Sequence, residues 1–134
     1  MNFKVAVVGG AGHIGLPMSC FIQNKGIQTL IIDKNEEALK LIKQSTPPFI
    51  EKDFQSNLTN ANKAGLKVST DISEIKNYNI VIVTLGTSSK KEDKDLFEGV
   101  ISEVLSEIKD ESILLLRSTV EKGMVEKLEK ESNK

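Results

Sequence analysis

The hydrophobic positions of this 134-residue chain follow two alternating patterns. Short continuous apolar runs, typical of strands buried on both faces of a sheet, are separated by stretches whose apolar residues recur at helical spacing. The pattern predicts strands at residues 3–8, 28–32, 66–69, 79–84 and 112–116. It predicts helices at residues 13–25, 36–45, 53–64, 95–108 and 120–131, with one or two helical turns after Asp71. Five strands separated by helices favour an α/β fold with a doubly wound, mostly parallel sheet of order 3-2-1-4-5.

Two of the predicted helices carry features that a structure can test. In the first helix, Ile14, Met18, Phe21 and Ile22 recur on one face, and we expect that face to be buried. Asn35 precedes the second helix, and we expect its side chain to cap the helix N-terminus. The fourth helix follows a polar loop at residues 86–94, and we expect it to begin at residue 95.

A glycine-rich motif, Gly10-Ala11-Gly12-His13-Ile14-Gly15, joins the first strand to the first helix. In a G-x-G-x-x-G motif at this place, Gly10 permits a tight turn, Gly12 leaves room for a pyrophosphate, and Gly15 lets the helix approach the strand. The backbone N–H groups of His13 and Ile14 then face the anion at the positive end of the helix dipole. The motif predicts dinucleotide binding; the alternative is a tight turn that binds no ligand.

Asp33 ends the second predicted strand, 18 residues after Gly15. A carboxylate at this place accepts hydrogen bonds from both hydroxyls of the cofactor ribose. Because it also repels a 2′-phosphate, Asp33 favours NAD over NADP. Lys34 is a second candidate cofactor-binding residue and leaves this choice open, since a lysine can pair with the 2′-phosphate.

Composition excludes several functions. The chain carries 18 basic and 19 acidic residues, with one tyrosine and no tryptophan, which argues against a nucleic-acid partner. Cys20 is the only cysteine, so an internal disulfide is impossible and a thiol-rich zinc site is not expected. We expect a cytoplasmic protein, without a signal peptide or membrane span, that forms one domain over residues 1–134.

The chain resembles the UDP-glucose/GDP-mannose dehydrogenase family over nearly its whole length. The family's first loop continues with Leu-Pro after the last glycine, as it does here. Further segments similar to family motifs are Pro48-Phe49-Ile50-Glu51, Leu66-Lys67-Val68-Ser69-Thr70-Asp71, Asp95-Leu96 and Ser118-Thr119-Val120, and Thr87 matches one position of a Pro-Thr-Pro loop. Lys52 and Asp53 stand where the family has Pro-Gly, and Glu121 and Lys122 where it often has two prolines.

The resemblance implies that this chain is the N-terminal NAD-binding (Rossmann) domain of a longer enzyme, ending before the sixth strand. The enzyme oxidises the C6 alcohol of a UDP-sugar to a carboxylate with two NAD, and it is expected to be a homo-oligomer. The nucleophilic cysteine of the family lies beyond residue 134, so we expect the chain to be inactive alone. Cys20 does not match that nucleophile, and we expect it to be a small buried residue.

The resemblance also places two threonines at the cofactor site. Thr87 is carried over as a cofactor-binding residue, and Thr119 as a cofactor-binding residue that helps to hold the catalytic water. Ser118 and Glu121 also suit a capping box for the last helix, which is the favoured interpretation of the segment, and both roles stay open. His13 is open as an acid or base, although a backbone contact to phosphate is the favoured role. Two rival functions remain: another two-domain dehydrogenase, of the hydroxyacid or 6-phosphogluconate type, and a free-standing nucleotide-binding module without catalysis.

Overall fold

The computed structural model describes residues 2–86, 90–117 and 123–132. Its strands are β1 (Lys4–Val8), β2 (Gln28–Ile32), β3 (Lys67–Ser69), β4 (Ile80–Val83) and β5 (Ile113–Leu116). Its helices are α1 (Gly15–Asn24), α2 (Glu36–Lys43), α3 (Phe54–Lys63), α4 (Lys91–Glu107) and α5 (Met124–Ser132), with a 3₁₀ helix over Ile72–Asn77. The predicted alternation of strands and helices is confirmed.

All five strands form one parallel sheet of order β3-β2-β1-β4-β5, as predicted. Ala6 in the central strand β1 lies opposite Leu30 of β2 on one side and Val81 of β4 on the other. The order of the strands along the sheet reverses between β1 and β4. In open α/β sheets, a reversal of this kind leaves a crevice outside the carboxyl ends of the strands, where ligands bind.

The three central strands, β1, β2 and β4, are apolar and buried because helices cover both of their faces. On one face, Val8, Ile32 and Val83 belong to a buried cluster with Phe97 and Val104 of α4. On the other face, a second cluster packs α1, α2 and α3 against β2. Its buried residues include Leu16, Cys20, Ile31, Leu39, Ile42, Phe54 and Leu58. On that same face a third, smaller cluster packs Val7 of β1 and Ile82 of β4 against Met18 and Ile22 of α1.

The buried face of α1 differs from the prediction. Ile14 is 53% exposed and Phe21 is 64% exposed. Met18 and Ile22 are partly buried, and the fully buried positions of the helix are Gly15, Leu16, Ser19, Cys20 and Gln23. Polar side chains can line this face because their hydrogen bonds are satisfied inside the protein: the Ser19 hydroxyl donates to the Gly15 carbonyl at 2.6 Å.

The helix termini show one confirmed prediction and one that was wrong. The side chain of Asn35 accepts a hydrogen bond from the backbone N–H of Ala38 at 3.0 Å and caps α2, as predicted. Helix α4 begins at Lys91, four residues before Asp95. The acidic residues Glu92 and Asp93 then lie in its first turn, where they stabilise the positive end of the helix dipole.

Candidate functional site

The turn after β1 is made by Gly9, which precedes the predicted motif. Its φ of +83° lies in the left-handed region, where a residue with a side chain is strained. Gly10, the next residue of the turn, permits this tight turn in a different way. Gly10 is needed for space, since a Cβ there would lie 2.7 Å from a methyl carbon of Ile31 and 2.9 Å from the carbonyl oxygen of Val7.

The other two glycines of the motif occupy different surroundings. A Cβ at Gly15 would lie 2.6 Å from the Gly9 carbonyl oxygen and 2.7 Å from the Gly10 Cα, so the residue permits the close approach of α1 to the turn, as predicted. A Cβ at Gly12 would meet only the Gly9 carbonyl oxygen, at 3.5 Å, and would project into open space. The open side of Gly12 leaves room for a group that lies against the backbone.

The N-terminus of α1 has no cap from its own side chains. Ile14 occupies the N-cap position without a side-chain hydrogen bond, and the first turn contains no acidic residue. Within the described part of the chain, the backbone N–H groups of His13, Ile14 and Gly15 donate no hydrogen bond. Free N–H groups and an uncompensated helix dipole at one point attract an anion such as phosphate.

Asp33 lies at the carboxyl end of β2, beside the glycine loop of residues 9–15. One carboxylate oxygen accepts a hydrogen bond from the backbone N–H of Ala11 at 3.1 Å, and the other accepts from the N–H of Asn35 at 3.0 Å. These contacts orient the half-buried carboxylate toward the loop. A carboxylate oxygen has two lone-pair directions, so each oxygen keeps one for a ligand hydroxyl.

A cleft of about 340 Å³ opens next to Asp33, at the point where the strand order reverses. Val8, Gly9 and Ile32 line it from the central strands, and Lys34 lies at its edge beside Asp33. Its other walls come chiefly from the apolar residues Ile72, Leu85, Leu96, Phe97 and Val100. Of these, only Leu96 belongs to a motif recognised in the sequence. The size and low polarity of the cleft suit a flat heterocycle.

Thr84 is a further residue that the motif search missed. It follows β4, and its hydroxyl lies 3.1 Å from the carbonyl oxygens of both Val8 and Gly9, which share its single proton. A Cβ at Gly15 would lie 2.7 Å from the same hydroxyl oxygen. Thr84 thus joins β4 to the glycine turn, and no pattern in the sequence relates two residues so far apart in the chain.

The remaining predicted site residues have varied outcomes. Thr87, Ser118 and Thr119 lie outside the described residues. The His13 side chain is exposed, and its ring stacks on that of Phe49 with a centroid distance of 4.2 Å. Cys20 is buried, and burial raises the pKa of its thiol to about 12, so it is unsuited to be a nucleophile at neutral pH.

No helix in the described ranges is long and apolar enough to cross a lipid bilayer.

The crevice of this sheet holds the glycine loop, an uncapped helix N-terminus and a carboxylate at the end of the neighbouring strand. These features and the strand order define a dinucleotide-binding domain of the Rossmann type. Residues 3–134 match the family model described as the UDP-glucose/GDP-mannose dehydrogenase family, NAD binding domain. The chain belongs to this family, and its cofactor is NAD.

Relatives and solved structures agree with this assignment. UDP-N-acetyl-D-mannosamine dehydrogenase of Pyrococcus horikoshii is 27% identical over 128 residues, which cover 93% of this chain and 30% of that protein. The enzyme of the same name from Methanococcus aeolicus is 30% identical over 93% of this chain and 29% of its own length. The structure of the Pyrococcus horikoshii enzyme superposes with a TM-score of 0.88 at 25% identity, over 98% of this chain and 32% of that one. The chain spans about 30% of the length of the curated relatives it matches.

Proposed function

We propose that the protein to which this chain belongs is an NAD-dependent nucleotide-sugar dehydrogenase that oxidises the C6 alcohol of a UDP-sugar to a carboxylate. The names of the relatives favour a UDP-N-acetyl-D-mannosamine substrate. Residues 1–134 form the cofactor-binding domain of such an enzyme. The observation that carries the proposal is the uncapped N-terminus of α1 beside the carboxylate of Asp33, since together they suit a pyrophosphate and a ribose.

The pyrophosphate contacts are proposed for the glycine loop. The N–H groups of His13, Ile14 and Gly15 donate to its oxygens, because they have no acceptor in the described part of the chain. Gly12 lets the anion approach the backbone, since its missing side chain leaves open space. Gly10 acts indirectly, because its packing against β1 and β2 keeps the loop in place.

The ribose contacts are proposed for Asp33 and its neighbour. Both oxygens of Asp33 accept hydrogen bonds from the ribose hydroxyls, and the adenine ring enters the apolar cleft beside Leu85 and Phe97. Lys34 lines the same cleft and would stabilise a 2′-phosphate. It therefore reduces the difference in affinity between NAD and NADP. Thr87 and Thr119 are proposed as further cofactor-binding residues on the family motifs alone.

The overall reaction is a four-electron oxidation. One primary alcohol, two NAD⁺ and one water give one carboxylate, two NADH and three protons. NAD supplies the hydride acceptor for both steps. A cysteine captures the aldehyde, and Thr119 helps to hold the water that releases the acid.

Cys20 cannot be that cysteine, because it is buried in the core of this domain and the pKa of its thiol is raised. We therefore propose that the nucleophile and the sugar-binding site lie in another part of the complete enzyme. We propose that the complete enzyme is a homo-oligomer, and that this chain alone binds NAD without oxidising the sugar.

Calorimetric titration and a turnover assay test the proposal together. The chain is expected to bind one NAD, more tightly than NADP, and to produce no NADH from UDP-N-acetyl-D-mannosamine. The longer protein that contains the chain is expected to produce two NADH for each UDP-sugar. Absence of NAD binding, or oxidation of the sugar by the 134-residue chain alone, would overturn the proposal.

A further inference from the structure

Three aromatic rings lie in a row between the start of α3 and the glycine loop. Phe54, the first residue of α3, is 4% exposed and belongs to the same buried cluster as Ala11 and Leu16. The ring of Phe49 lies 6.1 Å from that of Phe54, with an interplanar angle of 16°. On its other side, the Phe49 ring stacks on the ring of His13, with a centroid distance of 4.2 Å and an interplanar angle of 23°. The stack therefore connects the protein core to the middle of the glycine loop.

The segment that carries Phe49, residues 46–52, has an unusual residue at each end. Ser45 has a φ of +58° and Asp53 a φ of +61°, in the left-handed region that residues with side chains rarely adopt. The Asn62 side-chain amide donates to the Ser45 hydroxyl at 2.9 Å and to the Ile42 carbonyl at 2.7 Å. Gln55 of α3 also donates to the Ser45 carbonyl. The residue that precedes the segment is thus held to α2 and α3, and the segment ends at the start of α3.

The first half of the glycine loop is hydrogen-bonded to neighbouring strands. The N–H groups of Gly9 and Gly10 donate to the Ile32 carbonyl at 2.8 and 3.3 Å, and the N–H of Ala11 donates to Asp33 at 3.1 Å. The backbone hydrogen bonds of Gly12 run only to Gly9 and to Leu16, within the loop and the first turn of α1. Glycines have no side chain to hold them and lose more conformational freedom on ordering than other residues. His13 is the residue of the loop whose side chain reaches outward to another segment, and its backbone N–H is one of the proposed phosphate donors. A restraint on the ring of His13 consequently restrains that donor.

We propose that Phe49 is a positioning residue for the cofactor site: by stacking on His13, it holds the glycine loop in the conformation that binds the pyrophosphate. The inference rests on the proposed contacts of the loop with NAD. Phe49 contacts the loop through the ring of His13, so its removal weakens NAD binding by leaving the loop to be ordered when the ligand arrives. Aromatic pairs contribute an amount equivalent to about a two- to tenfold change in a binding constant.

Three variants of the chain separate this role from simple packing. Phe49→Leu keeps an apolar side chain but removes the ring, whereas Phe49→Tyr keeps the ring. Phe3→Leu is the matched control, because Phe3 is 48% exposed and precedes β1 at the opposite end of the sheet. The measurements are calorimetric titration with NAD, far below the unfolding temperature, and the proton chemical shifts of the single histidine, which the Phe49 ring current displaces.

We expect Phe49→Leu to bind NAD about two- to tenfold more weakly, with the imidazole protons moved toward their positions in an unstructured peptide. Phe49→Tyr and Phe3→Leu are expected to match the parent chain in both measurements. Unchanged affinity of Phe49→Leu, or equal weakening by Phe49→Tyr, would overturn the positioning role while leaving NAD binding intact. If the parent chain itself does not bind NAD, the proposed function fails, and the histidine shifts still report whether the stack exists.

Discussion

The carboxylate of Asp33 accepts a hydrogen bond from the backbone N–H of Ala11 at 3.1 Å, across 22 positions of the chain. The contact joins the carboxyl end of β2 to the glycine loop. The same side chain that we propose for the ribose therefore also helps to shape the pyrophosphate site. Two neighbouring parts of one ligand would be recognised by parts of the protein that hydrogen-bond to each other.

Replacing Asp33 by alanine is expected to weaken NAD binding by at least about tenfold, since hydrogen bonds to a charged group contribute about 1.5–3 kcal/mol. Part of the loss comes from the ribose hydroxyls and part from the freed N–H of Ala11. Isothermal titration with NAD measures the change. Asp110→Ala is the matched control, because Asp110 is an exposed aspartate that precedes β5 at the opposite end of the sheet. Equal affinities of Asp33→Ala and the parent chain would rule out the ribose contact.

The second and third glycines of the motif, Gly12 and Gly15, are expected to separate binding from folding. Gly12→Ala adds a methyl group that meets nothing nearer than 3.5 Å, so the domain should fold normally and lose NAD affinity. Gly15→Ala adds one within 2.7 Å of backbone atoms, and overpacking of this kind costs about 1–3 kcal/mol of folding free energy. Chemical denaturation and NAD titration of both variants test this separation.

Gly99→Ala provides the control for these two variants. Gly99 lies inside α4, and a Cβ there would have no neighbour within 4 Å. This variant is expected to stabilise the domain by about 0.5–1 kcal/mol, because alanine favours the helix, and to leave NAD binding unchanged. A Gly12→Ala protein that binds NAD like the parent chain would mean that the pyrophosphate does not lie against this residue.

Thr84→Val removes the hydroxyl that donates to the carbonyls of Val8 and Gly9 while nearly keeping the side-chain volume. We expect the free energy of unfolding to fall by about 1 kcal/mol, since one hydrogen bond is lost and buried acceptors lose a donor. Thr84→Ser retains the hydroxyl and is expected to recover most of the loss. Urea denaturation curves compare the three proteins, and a Thr84→Val midpoint equal to that of the parent chain would show that the hydroxyl does not stabilise the turn.

The thiol of Cys20 is expected to resist modification in the folded domain. Its pKa is raised to about 12 by burial, against about 8.5 in an unfolded chain. The folded state therefore favours the neutral thiol, and the stability of the domain is fully present below about pH 8.5 and falls as the pH rises toward 12. At pH 8, a thiol reagent should label no cysteine in the native protein and one in denaturant. Rapid labelling of the native protein would contradict the burial.

The sheet was predictable because its central strands, β1, β2 and β4, are continuous apolar runs, and because local signals mark the start of helices. The continuous run in β1, the glycine motif after it and the cap at Asn35 are all local features. The buried face of α1 was not predictable from hydrophobicity, because it includes Ser19 and Gln23. The Gln23 side chain donates to the Ala64 carbonyl at 2.9 Å and accepts from the Thr29 N–H at 2.9 Å.

The parts of the candidate site that the motifs missed depend on contacts between distant residues. Thr84 meets the glycine turn only when β4 pairs with β1. Phe49 meets His13 only when the connection between α2 and α3 folds back over the loop. The turn conformation at Gly9 was also missed, because the motif counts begin one residue later. Local spacing identified the loop, and tertiary packing decides how it is held.

The most direct test of the account is a titration of the isotopically labelled chain with NAD, followed by the backbone amide resonances of each residue. We expect saturable shifts concentrated at residues 9–15 and at Asp33, with smaller changes along the apolar cleft. Saturable shifts confined to another face of the sheet, or no saturable shift at all, would contradict the placement of NAD at the glycine loop.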